Sequence, residues 1–115
     1  MTIKIYHNPR CSKSRETLAL LEQNGVTPEI IEYLKDVPSV DDIKQLLTML
    51  NFESARQLIR TKETIYKDLT LSTENDESKL IDAMVAHPKL IERPVVVNGD
   101  KAAVGRPPEN VLAII

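Results

Sequence analysis

Apolar and polar positions change their rhythm several times along the chain, and each change marks an element. Thr2-Ile3-Lys4-Ile5-Tyr6 alternates and is β-branched, which predicts a strand. His7-Asn8-Pro9-Arg10 reads as a turn. From Cys11 to Asn24 the residues favour helix, with apolar Leu18, Leu20 and Leu21, and Gly25 supplies a stop. Residues 29–33 predict a second strand between Pro28 and Pro38. Two strands joined by a helix predict a parallel βαβ unit.

The rhythm then becomes helical. Ser39-Val40-Asp41-Asp42 resembles a capping box with Asp in the place of Glu or Gln. Val40, Ile43, Leu46, Leu47 and Leu50 follow at helical spacing. A short helix is expected over residues 55–59, and residues 61–71 read as loop with one turn of helix at most. Residues 74–87 predict a helix with Leu80, Ile81, Met84 and Val85 on one face, closed by His87-Pro88. Val95-Val96-Val97 predicts a buried strand. Asn98-Gly99 signals a hairpin into residues 101–104, and a final helix is expected over 109–115 after Gly105-Arg106-Pro107-Pro108. The order is β-α-β, helices, β-β-α: an α/β fold with a helical insertion at about residues 39–90, read as one domain.

Composition narrows the function. The chain has 115 residues, and 15 Lys and Arg against 17 Asp and Glu give a net charge of −2, without the basic field of a general nucleic-acid binder. With no Trp, one Phe and three Tyr, a stacking platform for bases is not expected. The start of the chain lacks a signal-peptide apolar region, and no stretch approaches a membrane span. A cytoplasmic protein without nucleic-acid or membrane partners is expected, as a monomer.

One cysteine, Cys11, excludes an internal disulfide and a multi-cysteine zinc site, and no metal is expected. It falls where a strand turns into a helix, where backbone N–H groups and the helix dipole favour thiolate over thiol. Free cysteines are commonly small buried apolar side chains. Here Arg10, Lys13 and Arg15 flank Cys11, and His7 lies four residues before it, which points to an activated thiol beside an anion site. Ser14 stands where a dithiol enzyme would carry a resolving cysteine, so oxidised Cys11 needs a thiol from another molecule. Ser14 is a candidate hydrogen-bond donor to the thiolate, and His7 a candidate imidazolium or proton-transfer group. Arg60, Arg93 and Arg106 suit a tetrahedral oxyanion. Arg93 and Arg106 bracket the hairpin, a placement compatible with one end of the sheet; from spacing alone, all three read as solvated surface arginines.

The run His7-Asn8-Pro9-Arg10-Cys11-Ser12-Lys13-Ser14-Arg15 resembles the active-site loop of the glutaredoxin-dependent arsenate reductases. The resemblance continues through residues 55–60, Leu80-Ile81-Asp82-Ala83-Met84, His87-Pro88, Glu92-Arg93-Pro94-Val95-Val96-Val97 and Gly105-Arg106-Pro107-Pro108. Ser12-Lys13 departs from the Gly-Thr of the best-known members and adds a charge beside the thiol. The resemblance implies a thioredoxin-like fold with a mixed four-stranded sheet and a cis Arg93–Pro94 bond. It implies Cys11 as nucleophile, with Arg60, Arg93 and Arg106 around the oxyanion and His7 and Ser14 assisting. It further implies arsenate as substrate, glutathione as co-substrate, glutaredoxin as protein partner, and no bound cofactor. Two other readings share this fold: a redox-responsive regulator that binds RNA polymerase, which Ser14 disfavours by removing a Cys-x-x-Cys switch, and a single-cysteine glutathione-linked thiol transferase.

Overall fold

The computed structural model describes residues 2–115, which form two compact units. One unit runs to Asp36 and resumes over Arg93–Ile115; the other is Val37–Glu92.

The first unit holds four strands, β1 (Ile3–Tyr6), β2 (Glu29–Ile31), β3 (Val95–Asn98) and β4 (Lys101–Val104), in the order β2-β1-β3-β4. β1 and β2 are parallel, with Lys4 opposite Glu29 and Tyr6 opposite Ile31, while β1–β3 and β3–β4 are antiparallel. Helix α1 (Ser12–Gln23) provides the crossover between the parallel strands. Its Leu21 packs with Ile5, Val96 and Val111 in a fully buried cluster, with Leu18, Leu20, Val26 and Ala103 around it. Burying each such side chain contributes roughly 1.5–3 kcal/mol relative to exposure, so α1 is held where its N-terminus meets the ends of β1 and β3.

Three expectations need correction here. β2 ends at Ile31 instead of residue 33, because the Glu32 carbonyl accepts hydrogen bonds from the Lys35 and Asp36 amides and turns the chain. The hairpin forms, but Asn98 pairs with Lys101, so the turn residues are Gly99 and Asp100. Gly99 takes φ +66, as the first central residue of a II′ turn requires. The final segment, Pro108–Ala113, is a 3₁₀ helix; at six residues and starting on a proline pair, it never becomes an α-helix.

The second unit contains α2 (Val40–Met49), α3 (Thr64–Asp68) and α4 (Glu77–Ala86), with 3₁₀ turns at Ala55–Leu58, Leu71–Thr73 and Pro88–Leu90. The capping box at α2 is complete: Ser39 Oγ accepts from the Asp42 amide at 3.1 Å, and Asp42 Oδ2 accepts from the Ser39 amide at 3.0 Å. α2 buries Ile43 and Leu46, and α4 buries Leu80, Ile81 and Met84, the faces their spacing predicts. α4 starts at Glu77, three residues later than expected, because Asp76 Oδ1 caps it by accepting from the Ser78 amide. α3 is the single turn expected in residues 61–71. Among the described residues, no helix is long and apolar enough to cross a membrane.

Candidate active site

Cys11 is the N-cap of α1, with extended backbone angles (φ −92, ψ 124). Its own amide donates to the Asn8 carbonyl at 3.0 Å, and its carbonyl accepts from the Arg15 amide at 3.0 Å. An N-cap side chain faces the amides two and three residues on. Serine or aspartate there would accept from them with oxygen; the Cys11 sulfur makes no capping hydrogen bond, but it stands where those amides favour its charged form. Burial pushes the Cys11 thiol up, but the Ser14 and Lys13 amides and the hydrogen bond and charge of Arg93 together bring it below the ordinary thiol value. Cys11 is half-buried, so its sulfur combines thiolate character with access.

Two arginines meet this sulfur. Arg106 Nη2 lies 3.5 Å from Cys11 Sγ, and Arg106 Nε donates to the Arg93 carbonyl at 2.7 Å. That second bond ties the Arg106 side chain to the backbone of Arg93, joining the two residues that bracket the hairpin. Arg93–Pro94 is cis, as the resemblance implies, and Arg106–Pro107 is cis as well, which was not expected. The junction leaves little room. The Gly105 amide donates to the Pro94 carbonyl at 2.9 Å. A Cβ at Gly105 would lie 2.5 Å from Thr17 Oγ1 and 2.8 Å from Pro94 Cγ. Gly105 and Thr17 were not among the sequence candidates. A glycine directly before Arg106 was the available signal.

His7 and Ser14 are brought together differently from the expectation. Ser14 is fully buried and His7 is 6% exposed. Ser14 Oγ accepts from the Asn8 amide at 3.0 Å and lies 2.7 Å from His7 Nδ1. The Ser14 hydroxyl therefore serves the turn and the imidazole, while its backbone amide serves the sulfur. Burial holds the His7 pKa below its ordinary value, opposed by the Glu32 carboxylate and aided by Arg15. The lowered pKa favours the neutral imidazole over the imidazolium. Of the other flanking cations, Arg15 Nη1 donates to the Pro9 carbonyl at 3.0 Å and Lys13 pairs with Glu16 at 3.4 Å.

Arg60 belongs to the second unit. It follows the 3₁₀ turn Ala55–Leu58, and its amide donates to the Leu90 carbonyl at 2.7 Å beside an Ile59–Ile91 bridge. Arg60 Nη1 pairs with Glu63 Oε1 at 2.8 Å and Nε with Glu92 Oε1 at 3.8 Å. The preceding turn carries a capping box the sequence reading missed, although Ser54-Ala55-Arg56-Gln57 has its pattern: Gln57 Oε1 accepts from the Ser54 amide at 3.0 Å and Ser54 Oγ from the Arg56 amide at 3.2 Å. Glu77 adds a clamp, accepting from Ser54 Oγ at 2.8 Å and the Ala55 amide at 2.6 Å. Among the described residues, no group of three or more His, Cys, Asp or Glu could hold a metal ion.

An α/β sheet of this topology, with one thiol at the N-cap of its first helix and a cis-proline strand entering beside it, defines a thioredoxin-like thiol protein. The family model described as the ArsC family matches residues 6–114, and the chain belongs to that family. The arsenate reductase of Haemophilus influenzae is 49% identical over 116 residues, covering 100% of both chains. The uncharacterized protein YfgD of Escherichia coli K12 is 54% identical over 114 residues, 98% of this chain and 96% of that protein. The solved structure of an arsenate reductase from Vibrio cholerae superposes with a TM-score of 0.97 at 51% identity, over 100% of this chain and 98% of that one.

Proposed function

We propose that the protein reduces arsenate to arsenite, with Cys11 as nucleophile and glutathione and glutaredoxin as external reductants. The observation that carries this reading is the N-cap thiol of Cys11 with Arg106 Nη2 at 3.5 Å and the Arg93 guanidinium beside it, in a chain of the ArsC family.

The Cys11 thiolate attacks arsenic and forms a sulfur–arsenic bond, and one oxygen leaves as hydroxide or water. Arg93 and Arg106 offset the negative charge that builds on the remaining oxygens, a form of stabilisation in which removing one donor typically costs about 10²–10³ in rate. Arg60, the third arginine of the family resemblance, is held here by Glu63 and Glu92. Ser14 and His7 assist by fixing the turn that aims the sulfur. A glutathione thiolate then attacks Cys11 Sγ. The sulfur–sulfur bond forms, the sulfur–arsenic bond breaks, and its electron pair stays on arsenic, which leaves trivalent as arsenite. A glutaredoxin thiolate attacks the glutathione sulfur and frees Cys11. The lone cysteine and Ser14 support this external route, since the chain has no second thiol to resolve the first. A thiol cycle of this kind fits the reducing cytoplasm.

Arsenite release from arsenate in the presence of both thiol partners tests the reading. Wild type is expected to exceed Cys11→Ser and Arg106→Ala by at least 10²-fold. Equal rates for wild type and Cys11→Ser would overturn it.

A further inference from the structure

The turn that carries Cys11 has a second side. Toward the end of β2, His7, Pro9, Arg10, Glu32, Leu34 and Lys35 enclose a cavity of about 200 Å³. The arsenate chemistry uses none of its charged side chains. Arg10 is the residue before the nucleophile. Its amide donates to Asn8 Oδ1 at 3.0 Å, which shapes the turn, while its guanidinium makes no hydrogen bond or ion pair with a described residue. Arg15 and Lys13, by contrast, are engaged with the Pro9 carbonyl and Glu16. Lys35 is wide open, its side chain 82% exposed and only 3.9 Å from Glu32 at the outer limit of an ion pair. Such an exposed pair holds its ammonium weakly.

Ser14 Oγ accepts from the Asn8 amide and lies 2.7 Å from His7 Nδ1, so the imidazole is already engaged on that side. The walls offer the cations of Arg10 and Lys35, the Glu32 carboxylate, and the apolar flanks of Pro9 and Leu34. That set fits a carboxylate next to a peptide amide: Arg10 and Lys35 for the carboxylate, Glu32 for an amide N–H. The volume is below the range of about 300–1,000 Å³ typical of a pocket that engulfs a whole small molecule, so it takes one end of a ligand.

We infer that this cavity docks a terminal carboxylate of the peptide thiol that attacks Cys11, an inference that rests on the thiol-dependent reading above. Anchoring one end beside Arg10 holds the thiol at the next residue, so that the attack becomes effectively intramolecular. Thiols without a carboxylate gain nothing from the cavity, and this makes it the element that selects glutathione-like reductants.

S-methylglutathione, an unreactive thioether, isolates docking from chemistry. Titrated into ¹⁵N-labelled protein, it is expected to give saturable shifts of the His7, Arg10 and Lys35 amides. Arg10→Glu and Lys35→Glu should each weaken this binding at least fivefold while leaving the remaining spectrum in place. Cysteamine methylated on sulfur should produce no saturable shift there. Shifts centred instead on the groove of Lys13, Gln23 and Pro107, equal affinity in both variants, or no saturable binding would overturn the inference. The two proposals fail separately. Absent docking with intact glutathione-dependent arsenite release removes this one alone, and saturable docking without arsenite release removes the enzymatic one alone.

Discussion

Cys11 stands at an N-cap, where Ser, Thr, Asp and Asn are favoured. Lys13 and Arg15 occupy the first helical turn, which holds no acidic residue. Cations there oppose the helix dipole, at roughly 0.3–1 kcal/mol each. The arrangement is poor for helix stability and good for a thiolate. Because the Cys11 pKa is lowered on folding, its contribution to stability is fully present above the unfolded thiol value of about 8.5. It is lost as pH falls through the lower folded value. The Cys11→Ser variant should therefore lose more stability relative to wild type at pH 9 than at pH 6, in urea midpoints. Iodoacetamide alkylation of wild type should reach its half-maximal rate below pH 8.5, and Arg93→Ala should move that midpoint upward and slow alkylation at pH 7 several-fold. His7 carries the same sign by a different route. Its folded pKa lies below the unfolded value of about 6.5, so unfolding takes up a proton on acidification. Wild type should lose stability between pH 7 and pH 5 more steeply than His7→Gln, measured by the same midpoints.

At the scale of elements, the site depends on how closely α1 approaches the segment after β4. Gly105 has an ordinary negative φ, so its role is steric: Thr17 Oγ1 and Pro94 Cγ already occupy the space of a Cβ. Gly105→Ala should cost about 1–3 kcal/mol, as overpacked positions do, and lower the melting temperature by several degrees. It should also slow Cys11 alkylation at pH 7, since Arg106 follows directly; a thermal loss with unchanged alkylation would show the contact to be structural only. The elements themselves were legible where one signal dominated. Period-2 alternation marked β1, 3.6-residue spacing marked α2 and α4, and Ser39 with Asp42 marked a cap. Boundaries failed where the deciding bond was local to the backbone or to one carboxylate: the Glu32 carbonyl that ends β2 and the Asp76 cap that delays α4; the return strand of the hairpin falls at residues 101–104 as expected, with only the two turn residues one place further on. The resemblance anticipated the cis bond at Pro94, but nothing in composition or spacing marked the one at Pro107.

For the whole molecule, a net charge of −2 conceals a local positive centre, because Arg93 and Arg106 meet at Cys11 from positions more than eighty residues along the chain. Spacing alone was compatible with those two arginines at one end of the sheet. That they share a hydrogen bond, and that both reach sulfur, required the fold. The single thiol then sets the electron balance. Reducing arsenate takes two electrons, and in the proposed cycle Cys11 with one glutathione supplies them by becoming a mixed disulfide. Ser14 cannot displace that glutathione. With arsenate and glutathione but no glutaredoxin, the protein should therefore release about one arsenite per chain and accumulate with one glutathione on Cys11, read by intact mass. Adding glutaredoxin should clear the adduct and restore turnover. Steady multiple turnover with an unmodified Cys11 and no glutaredoxin would mean that glutathione alone regenerates the thiol, and that the protein partner is dispensable.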